Sequence, residues 1–370
     1  MKKILVIADN YPSQVNPTRG VFVFNLIQEF AKYYQVDVIS PIAYTNKYSE
    51  VALQSDKADV VFTKFISFSK LSKRKGIINK IVQYLKKRAI VNAINASTDY
   101  QFVYCHFLSS AIPVMKYCEK FNIPLYVAMG ESSLEIRYQA ILDNKDYLEY
   151  IGNKLTGIIA VSEKLHNFCR SELKIAPEKI LISPNATDTR HFKPFQVNRS
   201  FLKIDNDDFV ISFTGAFIKR KGIDVLLKAV KELDKVKLIL IGSGEVDLSI
   251  EKIAFKGRLP HLEIPKYLNA SDVFIFPTKA EGSSNAIAEA MACGLPIITS
   301  NIPEVVFQIG KGNAIFIDPN DDVELKRAIQ KLIEDKNLRK QLSEKSLQIA
   351  KDRTIENRAK QILKWIENNG

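Results

Sequence analysis

The stretch that decides the fold runs from residue 274 to residue 300: FIFPTKAEGSSNAIAEAMACGLPIITS. Val273–Phe276 is an unbroken apolar run, the pattern of a strand buried on both faces. A small polar loop follows, holding Glu281, Gly282, Ser283, Ser284 and Asn285. The residues from Ala286 to Cys293 favour a helix, which Gly294 and Pro296 end. A second strand restarts at Ile297–Thr299. Two carboxylates stand eight positions apart, Glu281 in the loop and Glu289 in the helix. The helix start between them offers unpaired N–H groups and partial positive charge, which suit a phosphate. Carboxylates accept hydrogen bonds from hydroxyls. A phosphate cradle between two such carboxylates suits a sugar nucleotide.

The same alternation extends outward through the chain. Lys3–Ala8 reads as a buried strand, followed by the loop Asp9–Gly20 and a helix from Val21 to Tyr33 with Phe22, Leu26, Ile27 and Phe30 apolar. Strands are expected at Val36–Ser40, Phe102–Cys105, Pro124–Met129, Gly157–Val161 and Ile180–Ser183, with helices at Ser110–Phe121 and Glu163–Leu173. The polar stretch Lys193–Asp208 reads as a linker. Beyond it the pattern restarts. Strand Phe209–Thr214 leads into the basic loop Gly215–Gly222 and a helix Ile223–Leu233. Strand Lys237–Ile241 ends in Gly242-Ser243-Gly244-Glu245, and strand Ile253–Lys256 and a helix around Ile264–Asn269 lead to the stretch quoted first. Ala314–Ile317 and three helices, near Val323–Glu334, Leu338–Lys351 and Ile355–Glu367, complete the chain. Two alternating halves imply an α/β fold of two doubly wound, Rossmann-like domains facing a cleft, with ligands at the carboxyl ends of the strands.

Composition narrows the class. The 370 residues are 46% hydrophobic, ample for two cores, and carry a net charge of +12. That balance favours anionic partners. No apolar run reaches the roughly 20 residues that span a bilayer. The N-terminal MKKILVIADN reads as a strand rather than a signal peptide. The four cysteines, Cys105, Cys118, Cys169 and Cys293, show no CxxC pairing and read as reduced core residues of a cytoplasmic protein. Residues 60–98 hold nine Lys or Arg and no Asp or Glu. Within them Ile77, Ile78, Ile81, Val82, Leu85, Ala89 and Ile90 form one helical stripe, with Lys80, Lys86, Lys87 and Arg88 mostly off it. The segment is either a packed helix with a solvated basic face or a contact for an anionic membrane surface, and the two are compatible. The run lacks interleaved aromatics, so no specific nucleic-acid partner is expected. No Gly-x-Gly-x-x-Gly follows the first strand, which argues against a dehydrogenase. Asp205-Asn206-Asp207 reads as a turn and not as a metal site.

These residues resemble the retaining glycosyltransferases of the GT-B fold, family 4 (glycosyltransferase group 1). Glu281 and Glu289 match that family's Glu-x7-Glu motif, with a strand before it and EAMACGLP after it. FTGAFIKRKGIDVLLKAV, IGSGE, FKGRLPHLEIPKYLNASDVFIFPT, IIAVSEKL and SPNATDTRHFKP fall in the family's order. The resemblance covers nearly the whole chain and is strongest over residues 157–320. It implies an acceptor-binding domain over residues 1–190, with the terminal helix 353–370 packed back on it, and a nucleotide-sugar-binding domain over residues 191–352. It implies a UDP- or GDP-sugar donor, a glycan, glycolipid or polysaccharide-precursor acceptor at the cytoplasmic membrane face, and transfer with retention, without metal or cofactor. Lys221, assisted by Arg220, would neutralise the diphosphate. Glu281 would bind the donor sugar, and the main chain of Gly282, Ser283, Ser284 and Asn285 the sugar and phosphate. Glu289 would bind the ribose, and Arg258-Leu259 the base. Gly215 and Gly242, at strand-end turns, would be donor-binding. Gly20, with Arg19, would lie near the diphosphate. His106, at a strand end, reads either as an acceptor-side catalytic residue or as a core histidine, while His166, His191 and His261 read as structural or surface residues. The chain departs from the family in three places: Ala216 follows Gly215 where Arg is usual, Met129 stands where His is common, and Asn185 precedes Ala186 rather than Gly. A same-fold epimerase or phosphorylase is the alternative, set against the motif context and the lack of a pyridoxal-lysine motif.

Overall fold

The computed structural model describes residues 1–43, 50–66, 77–94, 99–130, 144–205 and 207–369. Residues 67–76 and 95–98 of the basic segment, Glu131-Ser132 and Asn206 lie outside the described residues. The chain divides into two compact units, Met1–Ser183 with Arg358–Gly370, and Pro184–Asn357.

The first unit is built on seven parallel strands: β1 Lys3–Ala8, β2 Gln35–Ala43, β3 Asp59–Phe65, β4 Tyr100–His106, β5 Leu125–Met129, β6 Gly157–Ala160 and β7 Ile180–Ile182. Their order in the sheet is β3-β2-β1-β4-β5-β6-β7. Ile4 to Ala8 are completely buried, as a central parallel strand covered on both faces requires. The chain leaves β1 toward one edge and returns through β4 on its other side. Such a switch point splays the two loops and opens a crevice at the carboxyl ends of the strands. The last helix, Ile355–Asn369, closes this unit from the far end of the sequence. Trp365 packs edge-on against Tyr126, 5.7 Å between ring centres, and the Tyr126 hydroxyl donates to Ile366 O at 3.3 Å.

The second unit repeats the plan with β8 Phe209–Thr214, β9 Val236–Ile241, β10 Ile253–Gly257, β11 Val273–Phe276, β12 Ile297–Ser300 and β13 Ile315–Ile317. The order is β10-β9-β8-β11-β12-β13, all parallel, so β8 and β11 flank the switch point. Helix Ile223–Val230 buries Ile223, Val225, Leu226, Ala229 and Val230 on the sheet, an apolar stripe of helical period.

The structure departs from the sequence reading where burial runs against hydropathy. Strand β3 is unread in the sequence because only Thr63 on it is buried, so it shows no apolar alternation. Helix Lys145–Lys154 is likewise additional, and Ser110–Phe121 is two helices, Leu108–Ala111 and Met115–Phe121. The stretch 193–208 packs on the second unit instead of linking domains. Leu202 is buried, and Arg199 Nη2 reaches Asp272 Oδ1 at 2.9 Å. On helix Ile77–Ala93 the buried positions among the described side chains are Val82, Lys86 and Ile90, while Ile81 is 46% exposed. Lys86 therefore belongs to the inner face, and Ile81 to the outer one. All four cysteines are buried and none forms a disulfide.

Candidate functional site

At the switch point of the second unit the loops leaving β8 and β11 are tied together. Gly215 follows β8, and its N–H donates to Ile241 O at 2.9 Å. Gly242 follows β9, so close to it that a Cβ there would stand 1.9 Å from Gly215 O. Lys219–Lys221 form one tight 3-10 turn, ended by Gly222 at φ 73°. A Cβ on Gly222 would stand 1.8 Å from Pro277 O, so only glycine allows this approach. The approach sets the Lys221 ammonium on the Glu281 carboxylate, 5.2 Å from the centre of the Phe276 ring. The buried Thr278 hydroxyl donates to Glu281 Oε1 at 2.9 Å. Arg220 Nη1 donates to Ala280 O at 2.8 Å, and Lys279 N–H donates to Arg220 O at 2.8 Å. Glu281 is 7% exposed, so its charge is held by Lys221 and Thr278 with little help from water.

The loop beyond Glu281 is strapped from two sides. The Asn185 N–H donates to Ser283 Oγ and the Asn185 side-chain amide to Ser283 O, each at 2.9 Å. Gln308 brackets the next residue: its Oε1 accepts from Ser284 N–H and its Nε2 donates to Ser284 O, each at 2.7 Å. Ser284 caps helix Asn285–Ala292, accepting from Ile287 N–H at 3.3 Å. The helix thus begins one residue before the Ala286 expected, and the Ser284 N–H is engaged within the protein. Asn285 Oδ1 is buried and meets no hydrogen-bond donor among the described residues. One turn into the helix stands Glu289, 8% exposed, with His261 Nε2 at 2.9 Å from its Oε1. Past β10, Arg258 is exposed and its Nε donates to Ser243 Oγ at 2.8 Å, while Leu259 packs partly buried on the core.

The remaining candidates lie in the first unit, at the switch between β1 and β4. Gly20, at φ 62°, starts helix Val21–Phe30, and a Cβ on it would meet Asn10 O at 2.3 Å. Arg19 Nη2 donates to Asp9 O at 2.5 Å. Asp9 receives Lys86 Nζ at 2.7 Å and the Ser109 hydroxyl at 3.0 Å. His106 ends β4, 4% exposed, against the rings of Phe22 and Phe107 at 5.2 and 4.5 Å. Met129 is fully buried, with its sulfur 3.6 Å from the Cys169 thiol, so its side chain belongs to the core. Phe107, at φ 76°, holds a conformation that side chains avoid, and its N–H donates to Ala128 O at 2.9 Å.

The sequence left four neighbours of the second-unit site without a role: Asn185, His261, Thr278 and Gln308. Thr278 and His261 follow strand ends, where ligand-facing residues of such sheets lie. Asn185 lies in the stretch SPNATDTRHFKP that the sequence singled out, but its contact with the loop was not legible there, and Gln308, also remote in sequence, carried no signal.

The chain resembles known proteins over this region and beyond it. Residues 194–348 match the family model of the glycosyl transferases group 1. The capsular polysaccharide biosynthesis glycosyltransferase CapM of Staphylococcus aureus is 30% identical over 242 residues, which are 59% of this chain and 62% of that protein. The chain therefore spans less than two thirds of that relative's length. Among solved structures, sucrose-phosphate synthase from Thermosynechococcus elongatus superposes with a TM-score of 0.80 at 18% identity, over 100% of this chain and 99% of the other. Anabaena HepE, solved in complex with UDP-glucose, gives 0.74 at 16% identity, over 100% of both chains. The shared architecture is that of the GT-B fold.

Proposed function

We propose that this chain is a group 1 glycosyltransferase, retaining and of family 4, using a UDP- or GDP-sugar donor; the family-model match over residues 194–348 and the likeness to CapM support this reading. The acceptor is a glycan, glycolipid or polysaccharide precursor at the cytoplasmic membrane face. The observation that carries the donor reading is the strapped loop 281–285, with a buried carboxylate before it and another after it at a switch point. Resemblance to a capsular polysaccharide enzyme and to a protein solved with UDP-glucose supports the substrate class.

In this reading Pro184–Asn357 holds the donor and Met1–Ser183 the acceptor. Lys221 and Arg220 meet the diphosphate, and the loop Gly282–Asn285 holds phosphate and sugar. Glu281 takes the sugar hydroxyls, Glu289 the ribose, and the Arg258-Leu259 main chain the base. Gly215 and Gly242 keep side chains out of the strand-end turns. Gly20 and Arg19 are further candidates for the diphosphate, and His106 for the acceptor. The acceptor hydroxyl attacks the anomeric carbon on the face the diphosphate leaves. The carbon–oxygen bond to the diphosphate breaks as the new glycosidic bond forms, and the hydroxyl proton passes to the departing phosphate oxygen. The reading needs no metal, cofactor or protein nucleophile. Catalysis comes from positioning and from stabilising charge on the leaving diphosphate.

Peripheral attachment to the membrane rests on helix Ile77–Ala93. Lys80, Ile81, Tyr84 and Arg88 are exposed along one stripe, Tyr84 by 61%. Among the described residues no helix is long and apolar enough to cross a membrane.

The test is a panel of UDP-, GDP- and ADP-sugars scored for thermal stabilisation and slow hydrolysis. A UDP- or GDP-sugar is expected to stabilise the protein, and E281A to lose turnover. Failure of every donor, or full turnover by E281A, overturns the proposal. Interconversion of the donor sugar without acceptor would mark an epimerase instead.

A further inference from the structure

Glu289 does not stand alone. His261 opens the short turn His261–Glu263 directly after Pro260, and its Nε2 lies 2.9 Å from Glu289 Oε1. The imidazole is 21% exposed and leans on Phe192, 5.0 Å between ring centres at 56°. Phe192 is completely buried, so the ring has a fixed wall behind it. A glutamate on a helix otherwise samples several rotamers. Here one oxygen is anchored from outside the helix, which orients the other.

We propose that His261 is a positioning residue for donor binding: it anchors Glu289 Oε1 so that Oε2 faces the ribose hydroxyls of a nucleoside diphosphate. This rests on the reading of Glu289 as the ribose-binding carboxylate. The charged groups around the ring come from two elements. Glu289 faces it from helix Asn285–Ala292. Asp188 faces it from the segment before Phe192, itself held by Arg190 at 2.7 Å and near His191 at 3.8 Å. Glu263, on the ring's own turn, is exposed. Burial alone would lower the affinity of the imidazole for its second proton. The hydrogen bond the ring donates to Glu289 and the charges of Glu289 and Asp188 outweigh it, and the net shift is upward. The anchor is therefore strongest with the imidazole charged. As pH rises through its titration the ring turns neutral and the hold on Glu289 weakens.

The experiment measures affinity for UDP, GDP and ADP, and then for the 2′,3′-dideoxy form of whichever binds, on full-length wild type, H261A and H261Q. Loss of a charged hydrogen bond predicts an affinity about tenfold lower for H261A, at 1.4 kcal/mol per factor of ten. The dideoxy form is expected to bind wild type and H261A equally weakly, because it lacks the hydroxyls Glu289 would take. H261Q, which keeps an N–H donor, should recover part of the loss. Wild-type affinity should fall with rising pH and that of H261A stay flat. In turnover, H261A should raise the donor KM with kcat little changed. Equal affinity of wild type and H261A overturns the inference while leaving the donor reading standing. So does an equal loss for the normal and dideoxy forms, which would mark a purely structural histidine. Wild type that binds no nucleoside diphosphate overturns the donor reading, and this inference with it.

Discussion

Glu281 is where local chemistry is most concentrated. A carboxylate buried to this degree is tolerated because Lys221 neutralises it and Thr278 donates to it. The same arrangement makes single substitutions ambiguous, since removing either ion strands the other. K221A and E281A should each lower stability. The double variant should be destabilised by less than the sum, with a coupling of about 1–3 kcal/mol in denaturant unfolding. Additive losses would mean that the pair contributes nothing to the fold. Activity should not recover in the double variant. In the proposed mechanism each group also meets the donor, and removing one group that stabilises transition-state charge typically costs about 100- to 1,000-fold in kcat. The motif spacing made both glutamates legible in the sequence. The proximity of Lys221 to Glu281 was not, because it depends on Gly222 touching the Pro277 carbonyl across two strands.

At the scale of the element, the loop between β11 and helix Asn285–Ala292 is ordered by residues far away in the chain. Gln308, 1% exposed on helix Pro303–Ile309, grips Ser284 with both ends of its amide, accepting from the N–H and adding a second donor to the O that Ala288 N–H already meets. Its own carbonyl accepts from the Arg353 guanidinium. Q308A would leave the Ser284 N–H unpaired in a buried place, at a cost of about 1–3 kcal/mol, while Ser284 O keeps the Ala288 N–H at 3.2 Å. A clear fall in melting temperature is expected, together with a higher donor KM. A variant with unchanged melting would show that water replaces the amide. A glutamine in an apolar helix reads as a surface residue, so the sequence held no hint of this strap. The helix Ile77–Ala93 makes the same point. Its apolar periodicity was visible, but Lys86 lies inside because Asp9, at the end of β1, meets it there. Ile81 lies outside for want of a partner face. Hydropathy ranks residues by their own cost of burial, whereas a fold charges for a pair.

For the whole molecule, the +12 charge and the outer stripe of helix Ile77–Ala93 predict binding to anionic vesicles. Flotation with phosphatidylglycerol vesicles at low salt should carry the protein up. K80E with R88E should reduce that capture several-fold, and so should roughly 0.5 M salt, where screening lengths shrink to a few ångströms. Vesicles ignored at low salt would remove the membrane from the proposal and leave the transferase intact. The order β10-β9-β8-β11-β12-β13 explains why the candidate site falls between β8 and β11: the sheet itself leaves a crevice there.

The sequence by itself determined the class of fold, two runs of alternating strand and helix, because continuous apolar strands and capped helices are written in local order. It also set Glu281, Glu289, Lys221 and the loop Gly282–Asn285 in a recognisable frame, because a loop entering a helix has a short-range signature. Only the tertiary structure decided which groups hold those residues. The anchor of His261 on Glu289, the Gln308 amide on Ser284, Asn185 on Ser283 and Lys86 on Asp9 each join positions separated by 24 to 98 residues or, for Lys86, by 77. Hydrogen bonds and ion pairs act over about 3 Å, and only the folded sheet brings such distant residues that close.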